Sequence, residues 1–437
     1  MREIWDGLPV LAQDLMSAGA LLLPLLVVGG VLLRGFRPWS LIRALMWRFR
    51  WANLLFVLLI AVSTGMGIGL IAQERGLRTG SAQAAEKFDL VVMAPGSELT
   101  MMLAAVFLQP SAVPLLDGAA YDRIANHPQV QIAAPVAFGD SHDGAPVVGT
   151  IADFVTYLSD GEIEGRIFTR SGEAVAGAAI DLQIGDRFTP AHGRGGGADA
   201  EAHDGVQIEI VGRMARSGSP WDRAILIPIE TVWEVHGLAN GHPFEEGDRI
   251  GPPFAPDLFP GTPAVIVHAD ELWANYALRS EFTEAGETMA FFPGTVLADL
   301  YRVMGDVRQA MSVMSVVTQV LVAASVLLGL FILTRLFQRQ LAMLRALGAP
   351  RRFVMAVVWG YGVSLLLAGT VLGLAFGYAA ALVLSRIVTE RTDILVTASI
   401  SWAEVTLALG FLSAMSLLSL VPALVVLTRP VVENLRQ

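Results

Sequence analysis

Long apolar blocks lie near both ends of the chain, and a middle part of mixed polarity separates them. Each block approaches or exceeds the length of a helix that crosses a membrane, which takes about 20 residues. We place five spans, within residues 1–34, 52–73, 301–334, 353–385 and 403–428. The pattern predicts an α-helical transmembrane bundle, in which the span within 301–334 continues a long helix that rises above the membrane as a stalk.

The first block has an apolar core, residues 18–33, that is short for a span, and it follows an acidic N-terminal segment. It runs into arginines instead of a small-residue cleavage site, so we do not expect a cleaved signal peptide. We interpret it as an extra, uncleaved span. A half-inserted hairpin is the alternative.

The middle part, residues 74–300, has the pattern of a folded domain. Short apolar runs bounded by Gly and Pro, and runs that alternate apolar with polar residues, predict strands. They lie at 88–95, 146–151, 177–190 and 206–214, and residues 224–238 predict a strand running into a helix. This mixture predicts an α+β domain.

Residues 99–108, LTMMLAAVFL, are apolar but too few to cross a membrane. We favour a buried helix within the domain. The alternative is an apolar lip that meets lipid or cargo.

Two connectors are rich in arginine: residues 34–50 and 335–352 carry five arginines each and no acid. Short basic loops stay on the cytoplasmic side of a membrane. The large domain at 74–300 and the loop at 386–402 are then predicted outside, and the tail at 429–437 inside.

The first connector, residues 35–51, places apolar residues at helical spacing (39, 42, 45, 46 and 49). We predict an amphipathic helix on the inner membrane surface, with arginines near lipid phosphates. Those arginines are Arg37, Arg43, Arg48 and Arg50. A simple topogenic loop would explain the charges but not the apolar spacing.

The second connector contains QRQLAMLRALGAPRRFV, residues 338–354, in which leucine and alanine fill the gaps between arginines. A basic and apolar helix of this kind can dock on a soluble partner. Gly348 would end the helix before Pro350. The alternative is an ordinary positive-inside loop.

Charge and composition exclude several functions. Residues 52–334 hold 33 acidic against 15 basic residues, which argues against a nucleic-acid surface. The only lysine, Lys87, precedes Phe88, so a GxxxxGK[ST] phosphate loop is excluded and another chain must bind any ATP. The chain has no cysteine, which excludes disulfides and thiolate metal sites.

Three stretches together resemble ABC transporter permeases of the MacB/FtsX/LolC type (type VII, mechanotransmission). They are the second connector, the closing SLVPALVVLTRPVVENLR at 419–436, and a series of motifs from VVGTIADFV at 147 to DRAILIP at 228. The family core usually has four spans, so the span within 1–34 is an extra one and departs from the family pattern. Within the family, the stretches GDSHDG, HG…H, SGSPWDRAI and ETVWEVH resemble a less characterised bacterial branch.

The resemblance implies a large periplasmic domain inserted between the first and second core spans, in a protein of the bacterial inner membrane. It implies a separate cytoplasmic ATPase dimer that holds ATP and Mg²⁺, a second permease chain (a homodimer more than a heterodimer), and a periplasmic adaptor or substrate protein. No cofactor and no enzymatic activity are expected in this chain. The ATPase would dock on a coupling helix at 335–352, through Leu341, Leu344, Arg345, Leu347, Gly348, Arg351 and Arg352.

On this basis the expected function is export or extraction of a lipoprotein, lipid, peptide or other amphipathic cargo, driven by ATP hydrolysis in the partner. One alternative is an FtsX-like signal transmitter that controls a periplasmic partner such as a cell-wall hydrolase. Another is metal-linked transport or sensing.

The metal alternative depends on the seven histidines, which all lie between residues 127 and 268. His192, His203 and His236 occur among acidic residues, and imidazole with carboxylate suits zinc. Their spacing matches no compact ligand signature, so scattered surface or core histidines are the favoured interpretation. Residues 141–144, SHDG, lack the GxSxG context of a serine hydrolase.

Overall fold

The computed structural model describes residues 8–109, 111–193, 205–284, 286–336, 338–392 and 396–428. The chain divides into two compact units. A helical unit contains residues 1–76, 306–385 and 397–437, and a sheet unit contains residues 77–305 and 386–396.

The helices are α1 (Val10–Leu33), α2 (Trp39–Arg48), α3 (Arg50–Ala84), α4 (Glu98–Ala105), α5 (Gly118–Ala125), α6 (Ala152–Leu158), α7 (Ile229–Val235), α8 (Leu272–Glu284), α9 (Pro293–Leu336), α10 (Gln338–Ala346), α11 (Arg351–Thr392), α12 (Trp402–Leu418) and α13 (Leu420–Thr428). The strands are β1 (Leu90–Met93), β2 (Val130–His142), β3 (Ala145–Thr150), β4 (Ile163–Gly165), β5 (Glu173–Ala176), β6 (Arg187–Phe188), β7 (Ala191–His192), β8 (Ile208–Met214), β9 (Ile225–Pro228), β10 (Ala264–Ala269) and β11 (Met289–Phe291).

Within the described residues, four helical segments are long and apolar enough to cross a membrane: Val10–Leu33, Arg50–Ala84, Arg351–Arg391 and Trp402–Leu424. They coincide with four of the five predicted spans. The fifth predicted span lies in α9, which is one continuous helix of 44 residues with a shorter apolar stretch, Gln319–Gly329. The long helix is therefore observed, and the count of five spans stays a prediction.

Several boundaries differ from the prediction. Helix α1 begins at Val10 and is a single helix of 24 residues, so the predicted hairpin alternative does not occur. Helix α11 continues to Thr392, so the predicted loop at 386–402 begins with helix. The last apolar segment is divided at Ser419, whose hydroxyl donates to the Ser416 carbonyl, a side-chain bond that bends helices.

Glycines bring α3 and α11 into close contact in the helical unit. A Cβ atom at Gly65 would lie 2.9 Å from the Gly373 carbonyl oxygen, and one at Gly377 would lie 2.7 Å from the Gly65 carbonyl oxygen. Real Cβ atoms do not approach backbone this closely. The glycines predicted to allow close helix approach therefore face each other.

The sheet unit contains one eleven-stranded sheet, in the order β11–β1–β10–β2–β3–β9–β5–β8–β4, with β6 on β8 and β7 on β2. Its longest strand is β2, which has 13 residues and pairs antiparallel with β10, β3 and β7. The pairs β3–β9 and β5–β8 are parallel. This mixed sheet with short helices is the predicted α+β domain.

Strands β1, β3, β8 and the β9–α7 unit lie where the sequence predicts them. The predicted strand at 177–190 is wrong except for β6, because its first part bonds to a loop and not to a sheet neighbour. Gly177 N donates to the Ala224 carbonyl, and Ala179 N donates to the Asp222 carbonyl. The long β2 is missed by the sequence prediction.

The apolar segment at 99–108 is buried, as favoured. Helix α4 begins at the Ser97 cap, whose hydroxyl accepts from Thr100 N. Met101 and Met102 are fully buried, and the Trp221 indole donates to the Ala105 carbonyl at 3.2 Å. These contacts hold the helix inside the unit and leave most of its apolar surface covered.

Candidate functional site

The second arginine-rich connector forms helix α10 and a tight turn into α11. Gly348 has a φ of +94°, its N–H donates to the Arg345 carbonyl, and Ala349 N donates to the Leu344 carbonyl. These two bonds make a Schellman motif, in which glycine adopts the left-handed conformation that ends a helix. The predicted helix stop at Gly348 is therefore observed.

One side of α10 is buried, which corrects the role expected for Leu341. Its side chain is 3% exposed and belongs to a hydrophobic cluster with Val354 and Val357 of α11. Leu344 is half-buried against the same cluster. Leu341 thus anchors α10 to the helical unit and offers no surface to a partner.

The other side of the connector is exposed. Leu347 is 85% exposed and Met343 is 46% exposed. Met343 is missed by the sequence analysis, although it stands four residues before Leu347 and therefore shares its helix face. Together with the exposed Arg351, these side chains form an apolar and basic surface, which we call the coupling surface.

Arg352 is exposed and also has a partner within the helical unit. Its guanidinium donates to the Val31 carbonyl in the last turn of α1, where a helix leaves its carbonyls without helical partners. Beside it, the Phe353 and Phe36 rings meet edge to face at 5.7 Å. Arg352 therefore connects the extra N-terminal helix to the start of α11.

The first connector forms helix α2, as predicted. The structure corrects the prediction that its apolar residues face the membrane surface. Ile42 is buried in the cluster of α11 and does not face lipid. Instead Trp47 and Trp51 are exposed, 72% and 71%, and the Arg50 guanidinium lies over the Trp47 ring at 5.4 Å. Arginine and tryptophan together are typical of a membrane interface.

The predicted surface arginines lie as follows: Arg37 precedes α2, Arg43 and Arg48 belong to it, and Arg50 begins α3.

Asn53 fixes the corner between α2 and α3. Its amide donates to the Met46 carbonyl at 2.9 Å, and its oxygen accepts from the buried Tyr361 hydroxyl. This polar bond joins the α2–α3 corner to α11.

In the sheet unit, two of the three predicted metal ligands come together. His192 ends β7, His236 follows α7, and Asp140 of β2 stands between them. One donor atom of each residue lies within 4.8 Å of the others. His203 lies outside the described residues. Asp140 is missed by the sequence analysis because its pairing with His192 depends on the sheet.

A second buried polar group lies near α7. Glu230 and His242 are almost completely buried, with 3.5 Å between Glu230 Oε1 and His242 Nε2. Burial raises the pKa of Glu230 to about 7, although hydrogen bonds from its own N–H and from Gly251 N lower it. Burial lowers the pKa of His242, as does the charge of Arg249, whereas Glu246 raises it.

The SHDG segment, which the sequence analysis does not interpret as a hydrolase site, has these contacts. The Ser141 hydroxyl donates to the Gly193 carbonyl. The His142 ring lies 5.1 Å from the Phe188 ring, tilted by 48°, and its Nδ1 is 3.3 Å from the Thr189 carbonyl oxygen. The two side chains therefore face different partners.

Comparisons with known proteins assign part of the chain. Residues 312–431 match the family described as FtsX-like permease C-terminal. No curated protein matches the chain. Among solved structures, the periplasmic region of MacB from Actinobacillus actinomycetemcomitans matches 50% of this chain and 94% of its own length, at 11% identity and a TM-score of 0.30. A likeness this low supports no inference about the chain.

Proposed function

We propose that this chain is a permease of the MacB/FtsX/LolC type, the membrane subunit that converts ATP hydrolysis in a partner into conformational work on the outer side of the membrane. The match of residues 312–431 to the FtsX-like permease C-terminal family supports this proposal. ABC permeases of this kind work with a cytoplasmic ATPase. The single lysine excludes a phosphate loop in this chain, so the ATP is bound elsewhere.

The coupling surface is the observation that carries this proposal. It combines two exposed apolar side chains, Met343 and Leu347, with arginines and no acid. Methionine and arginine are both enriched in protein–protein interfaces, and a partner that covers the two apolar side chains would bury them beside the arginines. Acidic groups on an ATPase would complement the arginines.

The geometry of α10 suits transmission of force. Leu341 and Leu344 fix the helix to the same cluster as α11, and only Ala349 and Pro350 follow the Schellman glycine before α11 begins. A displacement of the coupling surface would therefore move α11, and α11 would move α3 through their glycine contact. We propose α9 as the stalk that carries the motion outward.

We propose an amphipathic cargo, such as a lipoprotein, lipid or peptide. The sheet unit contains a cavity of about 670 Å³ between the last turns of α3 and the start of α9. It is lined by Arg78, Ala82, Leu297, Ala298 and Tyr301, among others. The lining also includes Glu86, so the pocket places apolar side chains beside two charged groups, Arg78 and Glu86. Such a pocket suits an acyl chain beside a polar head.

The docking role is tested by replacing Met343 and Leu347 with Asp in the full chain. Loss of one hot-spot side chain costs about 2 kcal/mol or more, so ATPase binding should weaken by well over tenfold. The measurement is affinity purification of the tagged chain from its own membranes, with mass spectrometry of the co-purified ATPase and an ATP-hydrolysis assay.

The matched control is Phe244→Asp, which changes an apolar side chain that is 98% exposed in the sheet unit and should leave ATPase binding intact. The double variant should remain in the membrane at the normal level, since both positions are exposed. An unchanged amount of ATPase with the double variant, and unchanged hydrolysis, would reject the coupling surface.

The proposed homodimer has its own test. When two copies of the chain with different tags are made in the same cells, one copy should co-purify with the other.

A further inference from the structure

Three side chains of the sheet unit, Asp140, His192 and His236, have the composition of a transition-metal site. We propose that they bind one divalent ion of the zinc type, with water or a ligand atom in the remaining coordination position. Two imidazoles and a carboxylate are the donors that zinc accepts in three-ligand sites. The three residues belong to the sheet unit, and none of them lines the cavity proposed for cargo or belongs to the coupling surface, so the site does not rest on the function proposed above.

The distances between the donor atoms fit one ion. His192 Nδ1 lies 3.0 Å and His236 Nε2 lies 3.8 Å from Asp140 Oδ1. Ligands bound to zinc at about 2.0–2.2 Å in a tetrahedral arrangement are about 3.4 Å from one another. The two measured distances lie on either side of this value, so small side-chain adjustments would bring all three donors onto the ion.

The tautomer of His236 favours binding. Its Nδ1 is 2.7 Å from the Val232 carbonyl oxygen, which can only accept, so Nδ1 carries the proton. The lone pair is then on Nε2, the atom that faces Asp140. A histidine whose second nitrogen donates to a backbone carbonyl is the usual arrangement around metal ligands.

The backbone fixes the other two ligands. Asp140 and His192 are direct partners in the β2–β7 pair, and Gly193 N donates to the Gly139 carbonyl at 3.0 Å. Gly139, with a φ of +151°, lies where the β2–β3 register shifts, and this bulge turns Asp140 toward β7. The two donors are therefore held close before any ion binds.

The site has an approach from solvent. Asp140 is 7% exposed, whereas the His192 side chain is about half exposed. A cavity of about 380 Å³ reaches the site, lined by Asp140 and Gly193 and by the apolar Leu108, Phe138 and Pro146. A cation would neutralise the charge of the Asp140 carboxylate in this largely buried position. The cavity leaves room for a fourth ligand, as in open metal sites.

Other histidine–acid pairs of the same unit provide internal controls. His268 bonds to Asp89, and His127 Nε2 lies 3.3 Å from Glu281. Among the described residues, these pairs are not part of a three-donor group. If histidine–carboxylate pairing alone attracted zinc, they would bind it as well.

The test is zinc titration by calorimetry of the full-length protein in detergent, without a polyhistidine tag and after metal removal with a chelator. Wild type should bind one Zn²⁺ per chain at this site. His236→Ala and Asp140→Asn should each lose it or bind more than about tenfold more weakly, since even indirect partners of metal ligands are worth that much. His268→Ala should bind as wild type does.

Asp140→Asn preserves side-chain shape, and equal melting temperatures of the metal-free proteins would show that the fold is retained. If a variant proves less stable, bound zinc per folded chain, measured by mass spectrometry after desalting, gives the same comparison. Zinc binding that is equal in wild type and in both variants would overturn the site. Absence of zinc binding to wild type would overturn it as well.

Discussion

Two buried glutamates of the sheet unit show how neighbours decide the charge of a carboxyl group. Glu173 accepts hydrogen bonds from Arg166 at 2.5 and 2.7 Å and from Arg170 at 2.7 Å. Hydrogen bonds from Arg166 are the main cause that lowers its pKa to about 2. Glu230 instead accepts a hydrogen bond from Gly251 N, and burial raises its pKa to about 7. The first is ionised at neutral pH, and the second takes up a proton near it.

Glu230 should make the sheet unit less stable as pH rises. Its folded-state pKa, about 7, lies above the ordinary 4.5, so the folded protein holds this proton more tightly than the unfolded chain. The stabilisation is complete below about pH 4.5 and is lost as pH rises to about 7, at about 1.4 kcal/mol per pH unit. Glu230→Gln should remove this decline, as measured by thermal unfolding of the purified chain between pH 4.5 and 8.

Glu245→Gln is the control, because Glu245 is exposed and should leave the pH profile unchanged. His242 acts in the opposite direction: its pKa is lowered, so its contribution is lost as pH falls below the ordinary 6.5. The Glu230→Gln protein should therefore still lose stability on the acid side. A profile identical to wild type above pH 5 would contradict the assignment to Glu230.

At the scale of elements, helix α10 depends on its terminating glycine. The Schellman motif needs a positive φ at Gly348, and a side chain in that conformation costs about 1–2 kcal/mol. Gly348→Ala should therefore loosen the end of α10, with roughly 5–30-fold faster amide exchange at the two N–H groups of the motif, Gly348 and Ala349. Hydrogen exchange followed by mass spectrometry measures this directly.

The control for this element is Gly30→Ala. Gly30 lies inside α1, has space for a methyl group and has no positive φ, so alanine should be neutral or slightly stabilising there. If Gly348→Ala leaves exchange over 341–349 unchanged, the motif does not hold the helix end. In that case the ATP hydrolysis by the co-purified ATPase should be unchanged too.

At the scale of the whole molecule, the proposed function requires that ATP turnover in a partner ATPase is coupled to work at a separate place on this chain. The cavity between α3 and α9 is our candidate for that place. Ala298→Trp would fill it, and ATP-driven release of a fluorescent acylated peptide from lipid discs should fall several-fold, since the pocket must enclose most of the ligand.

Thr295→Trp is the matched variant, on the same helix, exposed and outside the cavity lining. Both variants should retain ATPase binding, which separates loss of cargo from loss of docking. Normal peptide release by Ala298→Trp would exclude the cavity as the cargo site and leave the coupling surface untouched.

Sequence by itself determined the features that depend on local composition and on neighbours along the chain. Apolar length predicts the spans, because a membrane requires some 20 apolar residues in a row. Gly348 predicts the helix stop, because its conformation is set by the residue itself. The missing phosphate loop follows from one lysine, and the permease resemblance is confirmed over residues 312–431.

Tertiary structure alone decided which side of each helix or strand is available to a partner or a ligand. Leu341 and Leu347 are both leucines of one short connector, yet one is buried and the other exposed, because packing against α11 covers only one face. Asp140, His192 and His236 are separated by more than forty residues at each step, and the pairing of β2 with β7 and the position of α7 bring them together. Contacts between distant segments leave no periodic pattern in a sequence, so the exposed face of α10 and the grouping of Asp140 with the two histidines needed the fold to be seen.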